Sequence, residues 1–292
     1  MPAKSYRKLT LLLIVLIIGV FICYNWYYQT QEVYSPLVSG QLQIHFIDVG
    51  QADCILVQAP NGNNMLIDAG NNNDFSIISS YLNSHHVRQL NVVVATHPHE
   101  DHIGSMAAVV RDFKIGRIFM SRVSTNTRTF EDLLTAIKEK GLTVNTSKAG
   151  VTIDLDPTIK TEMLAPNRDQ YDNLNDYSAV IKLTYGKNIF LFTGDASRVS
   201  EKEMLKKGYS LAADVLKVGH HGSNTSTTGN FLKAVAPKYA VISVGAHNDY
   251  GHPGKYTAGR LMKTGMRVYR TDLNGTVSII SDGNELSIKT QR

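Results

Sequence analysis

Val92-Val93-Val94-Ala95-Thr96-His97-Pro98-His99-Glu100-Asp101-His102 is the stretch that decides the fold. Three β-branched residues in succession read as a buried strand, and the polar run behind them as the turn at its end. Inside a core, three imidazoles and a carboxylate within six positions would each need a polar partner. At the mouth of a strand the same groups can converge on metal, and imidazole nitrogen with carboxylate oxygen suits zinc, manganese or iron. Alternation puts His97 and His99 on one side. Asp101 and His102 then open the next helix and can reach a second ion.

Downstream, the same layout of hydrophobic strand, tight turn and polar residue returns. Phe190-Leu191-Phe192-Thr193-Gly194-Asp195 ends in a carboxylate that either caps the following helix or joins the metal. Val215-Leu216-Lys217-Val218-Gly219-His220-His221-Gly222-Ser223 carries two adjacent histidines, which must point in different directions. One reads as a ligand and the other as a neighbour or substrate contact. Tyr250-Gly251-His252-Pro253 is a fourth loop of this kind. His45, His85, His86 and His247 lie in a strand, a polar turn and a loop, and read as structural.

Around these loops, strand and helix signals alternate from Gln41 to the end. Gln41–Val49, Asp53–Gln58 and Asn64–Ile67 read as an antiparallel start, and Ser76–Ser84 as a helix. Thr129 is the expected cap of a helix over Thr129–Lys140. Ile159–Leu164, Ala179–Tyr185, Asn188–Phe192, Val215–Val218 and Tyr239–Val244 follow as strands. Arg267–Arg270 and Thr276–Ser281 close the chain. With hairpins at both ends, this α/β pattern fits two packed sheets better than one doubly wound sheet.

The 292 residues are 43% hydrophobic and 19% charged, which excludes a disordered or low-complexity chain. Of 30 basic and 25 acidic residues, Lys4, Arg7, Lys8 and Glu32 fall in the first forty, leaving 27 against 24. That excess permits an anionic substrate, but no dense basic stripe or nucleic-acid-binding motif predicts sequence-specific DNA binding. Cys23 and Cys54 offer no disulfide framework.

Leu9–Tyr24 (LTLLLIVLIIGVFICY) is uncharged, with basic residues before it and Trp26, Tyr27 and Tyr28 after it. About 20 such residues can cross a bilayer, and the charge bias puts the N-terminus in the cytoplasm. The expected organisation is a cytoplasmic tip (1–8), a transmembrane signal anchor (9–28), a tether (29–40) and an extracytoplasmic domain (41–292). Signal cleavage and secretion is the alternative, although no small-residue cleavage site follows the apolar run.

HPHEDH, in the pattern H-x-H-x-D-H, resembles the metallo-β-lactamase superfamily. The resemblance narrows at His45-Phe46-Ile47-Asp48-Val49-Gly50-Gln51-Ala52-Asp53, Leu66-Ile67-Asp68-Ala69-Gly70, KVGHHGS and YGHP. Together, from about Gln41 to Ser281, these look like the ComEC-type branch, which includes a domain of the competence DNA-uptake channel. The resemblance implies a four-layer αβ/βα sandwich and two divalent metal ions, zinc or manganese. It implies His97, His99, Asp101, His102, Asp195 and His221 as ligands, with Asp195 bridging. Asp101 and His252 are the implied catalytic residues, and Lys217 and Ser223 the implied substrate contacts. Asp48, Asp53, Asp68 and His220 would orient the ligand histidines or add to them. Where many members carry a further histidine, this chain has Asp172-Asn173-Leu174-Asn175-Asp176-Tyr177-Ser178, so Asn175 or Asp176 would have to serve through oxygen. Arg122 and Arg128 would sit in a loop covering the entrance.

The implied activity is phosphodiester hydrolysis, with single-stranded DNA the first substrate class. The stretch from Asp48 to Asp53 is also similar to phosphorylcholine esterases, which makes teichoic-acid phosphorylcholine the alternative substrate. A non-catalytic binding protein on the same scaffold is the alternative of another class.

Overall fold

The structure is a computed structural model and describes residues 14–21 and 40–292. The chain divides into two units, Met1–Pro36 and Leu37–Arg292. In the first, 14–21 is helical with exposed apolar side chains. The remainder of the expected anchor lies outside the described residues. Among the described residues, no helix is long and apolar enough to cross a membrane.

The larger unit opens with β1 (Leu42–Phe46), β2 (Ile55–Gln58) and β3 (Asn64–Ile67), paired antiparallel in sequence. β4 (Gln89–Ala95), β5 (Lys114–Ser121) and β6 (Val144–Ser147) extend this sheet in parallel. A second sheet begins with antiparallel β7 (Ile159–Ala165), β8 (Val180–Tyr185) and β9 (Asn188–Phe192). It continues in parallel through β10 (Val215–Lys217), β11 (Tyr239–Ile242) and β12 (Arg267–Arg270). β13 (Val277–Ser281) and β14 (Leu286–Thr290) return to the first sheet, where β13 pairs with β1. The sheets therefore hold eight and six strands.

Period-two alternation sorts the apolar side chains into three cores. Leu42, Ile44 and Phe46 meet Ile55, Val57, Val92, Val94, Phe190 and Phe192 between the sheets. Leu56, Leu66, Val93 and Ala95 face the other way, onto helices Phe75–Ser84, Met106–Asp112 and Arg128–Glu139. Leu191, Leu216, Ala240 and Ile242 do the same for Arg198–Lys206, Gly229–Val235 and Lys255–Met262. Helix, sheet, sheet and helix give four layers, and each fully buried Leu, Ile or Phe contributes about 1.5–3 kcal/mol by leaving water.

Most element boundaries shift by one to three residues from the sequence expectation, and one of these shifts moves a helix cap. The helix near residue 130 spans Arg128–Glu139 and is capped by Thr127, whose hydroxyl accepts from Phe130 N. Starting there buries Phe130, Leu133, Ala136 and Ile137 on one face, whereas Thr129 falls inside the first turn. The expected loop over the entrance is correspondingly shorter, because Arg128 belongs to the helix. Strands β5 and β6 carry weak signals. β5 begins with alternating exposed residues, and edge strand β6 reads Val-Asn-Thr-Ser.

Candidate metal centre

Five parallel or sheet-central strands, β3, β4, β9, β10 and β11, deliver polar residues just beyond their C-terminal ends. β3 leads into Asp68, β4 into Thr96 and His97, β9 into Asp195, β10 into His220 and His221, and β11 into Ser243. The β10 turn holds its backbone in an uncommon shape: His220 (φ 52°) and His221 (φ 51°) are both left-handed. Such residues cost of order 1–3 kcal/mol each and persist where the surroundings over-determine them. Gly222 follows at φ 83°, and a Cβ there would come 2.7 Å from Pro253 Cβ, so this turn seats against the His252 loop.

Asp101, His102, Asp195 and His221 each bring one donor atom within 4.8 Å of the others. His102 Nε2 is 3.3 Å from Asp195 Oδ1, and His221 Nε2 is 3.2 Å from Asp101 Oδ2 and 3.7 Å from Asp195 Oδ1. The opposite ring nitrogens are held. His102 Nδ1 donates to Asp68 Oδ2 at 2.7 Å, and His221 Nδ1 donates to the Ser243 carbonyl at 2.9 Å. Both Nε2 atoms are thereby turned toward the carboxylates, the tautomer that ligation requires.

Electrostatics mark the same place as one that attracts positive charge, proton or cation. Burial lowers the His102 pKa, but Asp195, Asp101 and Asp68 outweigh it and hold the ring well above the ordinary imidazole value. Asp195 is the mirror image: burial opposes its charge, yet His102 and His221 hold its carboxyl well below the usual range. His102 Nε2, His221 Nε2 and Asp195 Oδ1 are buried and make no well-directed hydrogen bond, meeting their charged neighbours only across 3.2–3.7 Å. Buried polar atoms without partners are expensive, and a divalent cation would satisfy all three at once. The donor set fits a metal.

His97 and His99 stand next to this group. His97 Nε2 lies 3.0 Å from His99 Nδ1, and its ring packs 4.1 Å from that of His102, centroid to centroid. Its Nδ1 has only hydroxyls, Thr96 Oγ1 at 3.2 Å and Ser178 Oγ at 3.3 Å. Burial, reinforced by His102, keeps His97 well below the ordinary imidazole pKa, so it is a neutral ring. Asn175 is buried on a short 3-10 turn with Oδ1 unpartnered. Asp176 Oδ1 instead accepts from Ser197 Oγ at 2.6 Å and from the Ser197 and Ser200 backbones.

Three sequence expectations change here. Lys217 is fully buried, ion-paired with Asp53 and bonded to the Gly194 carbonyl, so it faces away from any substrate. Ser223 is buried as well, its hydroxyl engaged with Thr225. Asp48 accepts from Gly50 N and pairs with Arg292 at 2.7 Å, a surface turn rather than a brace for a ligand. Asp53 does stand behind the histidines, 3.6 Å from His221 Nδ1 and 3.7 Å from His102 Nδ1. Ser178 was missed: its hydroxyl accepts from Asp195 N at 3.1 Å while touching His97. Ser243 was missed too, because it acts through its main-chain carbonyl and leaves no side-chain signature.

A cavity of about 360 Å³ opens over the group, with His99, Asp101, Asp195, His220, His221 and His252 in its wall. His220 Nε2 lies 3.5 Å from Asp195 Oδ2. His252 is held down to about 4, first by burial and then by His220 and His221, so its ring is neutral at pH 7. Tyr250, exposed at the rim, stacks on it at 5.7 Å.

The family description "Metallo-beta-lactamase superfamily" matches residues 47–247, a span that contains these ligand loops up to β11. The chain belongs to the metallo-β-lactamase superfamily. This metallo-β-lactamase domain is 30% identical over 259 residues to ComE operon protein 3 of Bacillus subtilis (strain 168), covering 83% of the chain and 33% of that protein. It is 33% identical over 233 residues to Competence protein ComA of Neisseria gonorrhoeae, covering 79% and 31%. The chain thus spans about a third of the length of these curated relatives. Among solved structures, the metallo-β-lactamase fold protein YhfI from Bacillus subtilis superposes with a TM-score of 0.56 at 12% identity, covering 82% of the chain and 99% of YhfI. That likeness shows the shared fold. The ComEC-type resemblance is supported by these two relatives, and the domain is a metal-dependent hydrolase fold related to them.

Proposed function

We propose that this metallo-β-lactamase domain is a metal-dependent phosphodiesterase acting on single-stranded DNA, held outside the cytoplasmic membrane by an anchor at residues 9–28. The convergence of Asp101, His102, Asp195 and His221, with three buried ligand atoms that make no well-directed hydrogen bond, carries the hydrolase part. Similarity to Competence protein ComA, together with the ComEC-type motifs, supports a nucleic-acid substrate. Divalent cations bound at such a site supply a Lewis acid and activate water at neutral pH. Asp68 and Ser243 keep the two ligand rings aimed, so little reorganisation is needed when charge develops on the phosphoryl group. His252, neutral and facing the same cavity, donates a hydrogen bond to a phosphoryl oxygen; its depressed pKa suits this better than service as a cationic proton donor.

The test uses the purified full-length chain, loaded with zinc or manganese, on single-stranded DNA, bis(p-nitrophenyl) phosphate, p-nitrophenyl phosphorylcholine and nitrocefin. Cleavage of DNA and the simple phosphodiester, lost in Asp195→Ala, is the expected result. Preference for the phosphorylcholine ester would replace DNA by an envelope substrate. Bound metal with no turnover of any of the four would leave a binding protein on this scaffold. For the anchor, full-length protein sedimenting with membranes is expected, and a shortened soluble form would overturn it.

A further inference from the structure

Acidic and imidazole groups converge a second time, directly behind the first group. Asp53, Asp68 and His102 also bring one ligand atom each within 4.8 Å of one another, and all three are buried. The two clusters share His102 and use opposite sides of its ring. On this side, Nδ1 is 2.7 Å from Asp68 Oδ2 and 3.7 Å from Asp53 Oδ2. Carboxylates this close in a dry setting repel one another and attract any available cation. A divalent ion bound here would draw on His102 and Asp68, which the first cluster needs as ligand and brace.

The chain places a cation of its own at this point. The Lys217 ammonium, fully buried, pairs with Asp53 Oδ2 and donates to the Gly194 carbonyl at 3.2 Å. Gly194 precedes Asp195, and Lys217 ends the strand that runs into His221. One side chain therefore ties together the Asp53 loop, the Asp195 turn and the His221 turn. Burial works against its charge, but Asp53 and Asp195 more than compensate and keep it protonated.

We propose that Lys217 is the resident cation of the second acidic cluster. Its ammonium fixes Asp53 against the Gly194 carbonyl, denies that cluster to divalent ions, and so keeps His102 and His221 turned toward Asp101 and Asp195. It is a positioning residue with no contact to substrate, and the inference rests on the metal-centre reading above.

The experiment compares the full-length chain with Lys217→Met, Asp53→Asn and the double variant. Zinc affinity and zinc per chain are read by competition with a chromophoric chelator, without any activity assay. Lys217→Met should weaken zinc binding at least about tenfold, and adding Asp53→Asn should bring it back to within about threefold of wild type. A packing role for the lysine predicts the reverse order, with the double variant the worst. Wild-type affinity in Lys217→Met, or a double variant no better than the single one, overturns the proposal. If Lys217→Met does not fold, the double variant decides alone: near-wild-type affinity supports the proposal, while loss of folding or of zinc overturns it. A wild-type chain that binds no zinc overturns the proposal together with the metal centre, so the two failures are distinguishable.

Discussion

Buried histidines occur in two places in this molecule, and their surroundings differ in one respect. On the outer face of the first sheet, His45 Nδ1 meets Ser278 Oγ at 2.9 Å and Tyr81 OH at 3.0 Å, and its ring packs on His85 at 4.8 Å. Around it stand hydroxyls, a second imidazole and the Gln58 side chain, with no carboxylate among these contacts. Burial, then His85, pushes His45 down to about 3. At the strand ends, His102 and His221 are as deeply buried but face Asp53, Asp68, Asp101 and Asp195, which raise both. Hydroxyl neighbours leave a buried imidazole neutral, as at His45 and His97, whereas carboxylates build a place for positive charge. Burial of histidine is common to both, so the neighbours decide the role.

Breaking the acidic side should have the largest effect. Asp195→Ala removes a carboxylate that lies within 3.7 Å of both Nε2 atoms and should lower kcat by at least about 10³-fold, since several kcal/mol of charge stabilisation is lost. Near-wild-type turnover in that variant would show that the cluster is not the reacting centre. Next, His97→Ala should lose part of the bound metal, measured as ions per chain, while the Asp101–His102–Asp195–His221 group keeps at least one. Equal loss from both places would mean they act as one unit.

Asp68→Asn tests the brace. It keeps the shape but gives His102 Nδ1 a weaker acceptor, and metal affinity should fall about 10–100-fold with the fold intact. Smallest is the effect of the other histidine cluster on the metal: His45→Gln should leave zinc affinity unchanged. Its signature lies in stability. With a folded pKa of about 3 against an unfolded value near 6.5, the unfolded chain binds the extra proton between those values. Stability therefore falls as pH drops below about 6.5, at up to ~1.4 kcal/mol per pH unit for this group. His45→Gln should flatten that part of the profile of thermal midpoint against pH; an unchanged slope would show that His45 is not its source.

Much of this was legible in the sequence because the donor residues are rare types at fixed spacing. HPHEDH announced its own chemistry, and the glycine turns before Asp195 and His221 marked where strands would end. The order of strands across the two sheets was not legible, since β10 reaches its neighbours β9 and β11 only after helical crossovers. Lys217 misled because a lysine beside a histidine motif reads as a phosphate contact. Its burial depends on Asp53, more than 160 positions earlier, and no local pattern reports that pairing. Ser178 and the Ser243 carbonyl were illegible for a related reason: a hydroxyl and a backbone oxygen carry no distinguishing residue type.

The donors also come from both halves of the sandwich: Asp101 and His102 from the eight-stranded sheet, Asp195 and His221 from the six-stranded one. A folding intermediate with only one half formed would hold just two of the four. An ion held by all four would thus report on assembly, acting as a rivet whose release registers any parting of the two sheets.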